Sequence, residues 1–201
     1  MGQATRSPLD NPAARRVAQE NPGHCPPNSA WAGRTASAAH DLEFPEVRFP
    51  GPHLLRAVGE QALRNLVRRH HELLKASDIG HMLSTDPVQF DAAVERLADF
   101  VIESCGGPAN YTLRQGPGCM RSRHFPFTID EAARETWLAC LVRALDDSGI
   151  PQPLCEEYWN WMEPMSIRMV NRRTQKPQPA RYPFNWFAAR VRHPAMALCR
   201  R

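Results

Sequence analysis

His124 sits in the run CMRSRHFPF, residues 119–127, with Arg121 and Arg123 before it and Phe125, Pro126 and Phe127 after it. Neighbouring positive charge lowers the pKa of a histidine, so an imidazole in this setting stays neutral. A neutral imidazole is what a metal ion or a haem iron binds. The aromatics suit the cover of a flat apolar ligand, and the arginines suit carboxylates at its edge. From these nine residues alone, an ordinary loop histidine above two core-plugging phenylalanines is the alternative. Trp137 follows thirteen residues later. Its indole N–H needs an acceptor when buried, so it either packs in the core or donates into a ligand cavity. His70 and His71 lie in VRRHHELL. Adjacent helical positions point about 100° apart, so at most one of the pair faces a core. Val67, His71 and Leu74 share a face, which makes His71 the inward candidate and His70 the more solvated one. His81, near a turn, reads as an ordinary surface histidine. Serine-based triads, Walker loops and G-x-G-x-x-G patterns are absent.

Helices must position these side chains. Leu55, Val58, Ala62, Leu66 and Leu73 mark one face of a helix over about 54–76. Pro87 suits the first position of a second helix, capped by Thr85 or Asp86, with Phe90, Ala93, Val94, Leu97 and Val101 on one side. Gly106-Gly107-Pro108 ends it. Residues 109–127 show no period and read as a long functional loop. Asp130 opens a third helix, stopped by Ser148-Gly149, and Pro153 starts a fourth that Pro164 should kink or split after Glu163. No strand is expected, so the reading is a small all-α domain.

Composition narrows the class. Eight of the 19 prolines fall in residues 1–52, which read as a disordered N-terminal extension; 53–173 forms the domain and 174–201 a basic aromatic C-terminal tail. The tail carries six cations and no acid, so the formal +4 of the whole leaves −2 for the remainder. A −2 domain without a basic recognition helix argues against nucleic acid. No apolar run is long enough for stable membrane insertion, and the N-terminus has no apolar signal core. The six cysteines form no C-x-x-C pair, and a cytoplasmic chain with reduced thiols is the expectation.

Residues 106–138, GGPANYTLRQGPGCMRSRHFPFTIDEAARETWL, resemble the truncated haemoglobins, closest to group II. The set is GGP, Tyr-Thr, a glycine turn, Met-Arg-x-Arg-His-x-Pro-Phe, and tryptophan thirteen residues after the histidine. AVERLADF (93–100) is similar to the family's distal helix, and SIRMVNRR (166–173) to the end of its last helix. The resemblance covers roughly 54–173 and implies a truncated globin, a two-over-two helical sandwich around haem b. It implies His124 as proximal iron ligand and Trp137 as a distal donor to a diatomic gas. It further implies haem contacts from Arg96, Leu97, Phe100, Tyr111, Arg123 and Phe127, with Arg96 and Arg123 at the propionates. One departure stands out: the family commonly has Phe-Tyr where this chain has His70-His71. His71 therefore replaces the hydroxyl that anchors oxygen, either as a donor or as a sixth iron ligand.

The leading expectation is a haem-binding globin that reversibly binds oxygen or another diatomic ligand. The alternatives are nitric oxide dioxygenase or peroxidase chemistry fed by a reductase, a redox sensor with six-coordinate haem, and a non-haem helical interaction module.

Overall fold

The structure is a computed structural model that describes residues 42–117 and 119–193. The expected extension 1–52 lies mostly outside the described residues, and so does the end of the tail. The helical period expected over 54–76 resolves into two helices, α1 (Pro52–Val58) and α2 (Glu60–Lys75). The break falls at Gly59, whose φ of 85° is open to glycine at little cost. Leu63, Leu66, Val67, His70 and Leu74 form the buried stripe of α2. Their spacing of three and four residues places His70, not His71, at the centre of that stripe. The sequence-based orientation of the pair is therefore corrected: His70 is 5% exposed, while His71 sits half-buried at the stripe's edge.

In α3 (Pro87–Ser104), Asp86 caps the first turn by accepting from the Val88 amide at 2.9 Å. Phe90, Val94, Ala98, Val101 and Ile102 face the core. The helix ends at the glycines because the chain must pass hard against it: a Cβ on Gly107 would lie 2.6 Å from Cγ2 of Ile102.

Residues 109–127 are not a plain loop. They contain α4 (Asn110–Gln115) and α5 (Met120–Arg123). Each is too short to print a 3.6-residue period and too short to stand alone. The Glu103 carboxylate anchors α4 by accepting from the Thr112 amide (2.9 Å) and hydroxyl. α6 (Glu131–Asp147) starts where expected, with Asp130 accepting from the Ala133 amide at 2.8 Å. α7 (Gln152–Met169) runs through Pro164 without splitting.

The described residues contain helices and no strand. α2 packs against α3 and α6, and α6 against α7, so two helical pairs enclose one core. The flanks close over it. Residues 42–51 run extended across α7, where Phe49 meets Trp161 at 5.6 Å between ring centroids. A final helix, α8 (Phe184–Arg192), buries Phe184, Phe187 and Ala188. Its approach is fixed by a buried pair, Arg134 with Glu163 at 2.5 Å, which Arg181 joins from the tail. Arg190 and Arg192 meet Glu135 and Asp146, so these tail cations face core acids. No helix among the described residues is long and apolar enough to cross a membrane. Cys105, Cys140 and Cys155 are buried free thiols, but Cys119, half-exposed before α5, is disulfide-bonded; the all-thiol expectation fails there.

Candidate functional site

The proximal candidate rests on a four-residue helix. His124 is the residue that ends α5, and its Nδ1 lies 2.7 Å from the Met120 carbonyl. A carbonyl only accepts, so Nδ1 carries the proton and donates. In the neutral ring the lone pair is then on Nε2, on the far edge from the helix. Burial lowers the His124 pKa, partly offset by the bond to Met120, so that neutral form persists at ordinary pH. This is the tautomer an iron ligand requires, with the other nitrogen oriented by a carbonyl.

His71 repeats the arrangement on α2. Its Nδ1 donates to the Val67 carbonyl at 2.8 Å, which again leaves the lone pair on Nε2. Burial lowers its pKa, and His124 is near enough that charge there would lower it further. The fold thus brings together two neutral imidazoles, 53 residues apart in sequence, each with its outward nitrogen unprotonated. His70 does different work. Its Nε2 donates to the Trp137 carbonyl at 3.1 Å, and its ring meets the indole edge-on at 4.6 Å. Burial, with a smaller contribution from His71, takes its pKa down to about 3. His70 therefore ties α2 to α6 and fixes the backbone that carries Trp137. The Trp137 indole N–H itself has no partner among the described residues.

A third group gathers around Tyr111, which is 4% exposed. Its hydroxyl pKa is raised by burial, and both Arg123 and Arg96 act on it as neighbouring cations. The Arg123 guanidinium lies 5.6 Å from the Tyr111 ring centroid and donates to the Gln115 carbonyl at 2.7 Å. Among the described residues neither Arg96 nor Arg123 pairs with a carboxylate. Phe100 meets Tyr111 at 5.3 Å, and Leu97 packs against the same core. Phe127 is 39% exposed, and its amide donates to the His124 carbonyl at 3.1 Å. A hollow of about 630 Å³ opens elsewhere, between residues 46–50 and α7, and holds none of these histidines.

The donor set suits a haem better than a bare ion. Among the described residues no three His, Cys, Asp or Glu side chains gather into a metal cage. Two lone-pair imidazoles, the half-buried apolar side chains Leu97 and Phe100, and two arginines that pair with no carboxylate among the described residues suit an iron, a porphyrin face and its carboxylates. The model of the bacterial-like globin family matches residues 54–171.

The chain belongs to the bacterial-like, truncated globins.

Its likeness to group II members is direct. The group 2 truncated haemoglobin YjbI of Bacillus subtilis is 28% identical over 115 residues, 57% of this chain and 86% of that protein. The crystal structure of phosphate-bound Hell's gate globin IV is 49% identical with a TM-score of 0.70, covering 76% of this chain and 96% of that one. The truncated oxygen-avid haemoglobin of Bacillus subtilis is 27% identical with a TM-score of 0.54, covering 59% and 98%. The share matched by Hell's gate globin IV exceeds the family segment, so that likeness reaches into the flanks. Membership in this globin family implies haem.

Sequence reasoning missed the roles of three residues. The role of His70 as the α2–α6 tie was hidden because the stripe's phase was set from Val67 and Leu74 without Leu63. Arg121 and Asn171 stand inside the quoted runs CMRSRHFPF and SIRMVNRR, but nothing local marks them as the joint between α5 and the end of α7.

Proposed function

We propose that this truncated globin binds haem b through His124 and reversibly binds oxygen or another diatomic gas on the opposite side, in competition with His71. The observation that carries the reading is the His124 tautomer: Nδ1–H is committed to Met120, and Nε2 is left neutral and unprotonated. Haem, when bound, supplies an iron that takes a diatomic ligand and a ferrous–ferric couple. Arg96 and Arg123 would pair with its two carboxylates, with Tyr111 between them. Leu97, Phe100 and Phe127 would line its apolar faces.

The distal residues divide their roles by protonation. Neutral His71 has spent its only N–H on Val67, so it has no proton to donate to a gas ligand. It accepts, or it ligates. Trp137 is then the distal N–H donor, held in place through His70. A charge-assisted bond from that N–H is worth about 1–3 kcal/mol.

A second reading has a specific basis. The free Nε2 of His71 would also hold the haem iron, and His71 would then have to give way before a gas ligand entered. Such a site suits redox sensing, or nitric oxide or peroxide turnover with electrons from a partner reductase. The test of the proximal assignment is haem titration of the purified full chain. One equivalent should bind, His124→Gly should abolish tight uptake, and added imidazole should restore it. Equal uptake by His124→Gly without imidazole would overturn the assignment.

A further inference from the structure

The C-termini of α5 and α7 cap each other. Arg121, in α5, sends Nη1 to the carbonyls of Arg168 and Val170 at 2.5 and 3.1 Å, at the end of α7. Asn171, just beyond α7, answers in the other direction. Its Nδ2 donates to the carbonyls of His124 (3.1 Å) and Phe127 (2.8 Å). Its Oδ1 accepts from the Ile129 amide at 3.0 Å, and the amides of Asn171 and Arg172 both donate to the Ile129 carbonyl at 3.0 Å. Asn171 is 4% exposed, so none of these bonds has water as a ready substitute. A helix of four residues has no stability of its own, and its last carbonyls need partners from elsewhere. Backbone amides take the carbonyls of Arg121 and Ser122, and the His124 carbonyl that closes the helix takes the Phe127 amide together with the Asn171 side chain, the one partner from outside this segment.

We infer that Asn171 is a positioning residue for the proximal imidazole: it fixes the backbone of His124 from behind, and with it the direction in which Nε2 points. The inference rests on the reading of His124 as the haem ligand. Asn171 touches neither the iron site nor a gas ligand. It acts through the carbonyl of His124, while Met120 sets the ring's tautomer from the other side.

The test uses Asn171→Asp in the haem-loaded full chain. The change keeps size and the acceptor for Ile129 but removes both N–H donors. Three readouts belong together. Haem transfer to an excess of apomyoglobin should accelerate by at least about tenfold. The iron–histidine stretching band of the ferrous protein should shift and broaden. Amide hydrogen exchange should rise across 124–129 and stay unchanged across α2 and α3. Asn171→Ser, which returns one donor, should recover part of each effect. Ser166→Ala, in the buried Arg134–Glu163 network, serves as a control that loosens the fold without touching the His124 carbonyl. A haem-loaded Asn171→Asp protein with wild-type transfer rate and stretching band overturns the inference. So does a Ser166→Ala protein that reproduces the same band shift. A wild-type chain that takes up no haem overturns the proposed function first, and this inference with it.

Discussion

Two imidazoles each donate one ring proton to a carbonyl one turn back on their own chain, His71 to Val67 and His124 to Met120. That shared habit decides what each can do next, because a neutral ring with one proton spent has only a lone pair left. Under the proposed function Trp137 is the distal donor, so for Trp137→Phe stopped-flow measurement should show oxygen dissociating about 10- to 100-fold faster. An unchanged rate would take Trp137 out of ligand stabilisation. His70 allows a pH prediction on the apoprotein. Its folded pKa, about 3, lies below the unfolded value near 6.5. Between those values the unfolded chain binds more protons, so stability rises with pH and falls on acidification. The loss is up to about 1.4 kcal/mol per pH unit below 6.5. His70→Gln retains a donor for Trp137 and does not titrate, so its urea midpoint should fall less steeply from pH 6.5 to 4. Parallel slopes for the two proteins would contradict the assignment.

At the scale of elements, the strong periods and the caps were legible and the short pieces were not. Asp86, Asp130 and Gly106-Gly107 mark helix ends by local chemistry, and the structure uses each as such. α4 is held by Glu103, nine residues back on α3, and α5 by Asn171, 47 residues on from His124, and no helical period encodes either bond. His124 stood out through the company it keeps in CMRSRHFPF, whereas the inward phase of His70 depends on Leu63, one turn before Val67 on the same stripe. Pro164 was expected to kink or split α7, and the helix continues through it unsplit to Met169. Gly59 separates α1 from α2 at a positive φ with open space where a Cβ would stand. Gly59→Ala should therefore cost about 1–2 kcal/mol from backbone strain alone, read as a lower urea midpoint with unchanged slope. No loss would mean the turn relaxes to an ordinary conformation.

At the scale of the whole molecule, a globin core carries two flanks, and the joint with the C-terminal one is a buried charge cluster. Arg134 and Glu163 are 3% and 2% exposed, and Ser166, Ala180, Arg181 and Tyr182 complete their bonds. Removing one partner strands the other, so Glu163→Ala should destabilise the chain by about 3–5 kcal/mol in urea. An effect below about 1 kcal/mol would mean that water reaches the pair. The flank also covers Trp159, whose indole N–H donates to the Tyr182 carbonyl at 2.7 Å, so tail and core are built as one unit. The central claim concerns His71 and His124, which lie near enough for charge on one to act on the other. Its most direct test is the visible spectrum of the ferrous, gas-free, haem-loaded full chain beside His71→Leu and His124→Ala. The account predicts a low-spin, two-histidine spectrum that becomes high-spin and five-coordinate in His71→Leu, while His124→Ala loses the wild-type signature. A wild-type spectrum that neither substitution alters would contradict it.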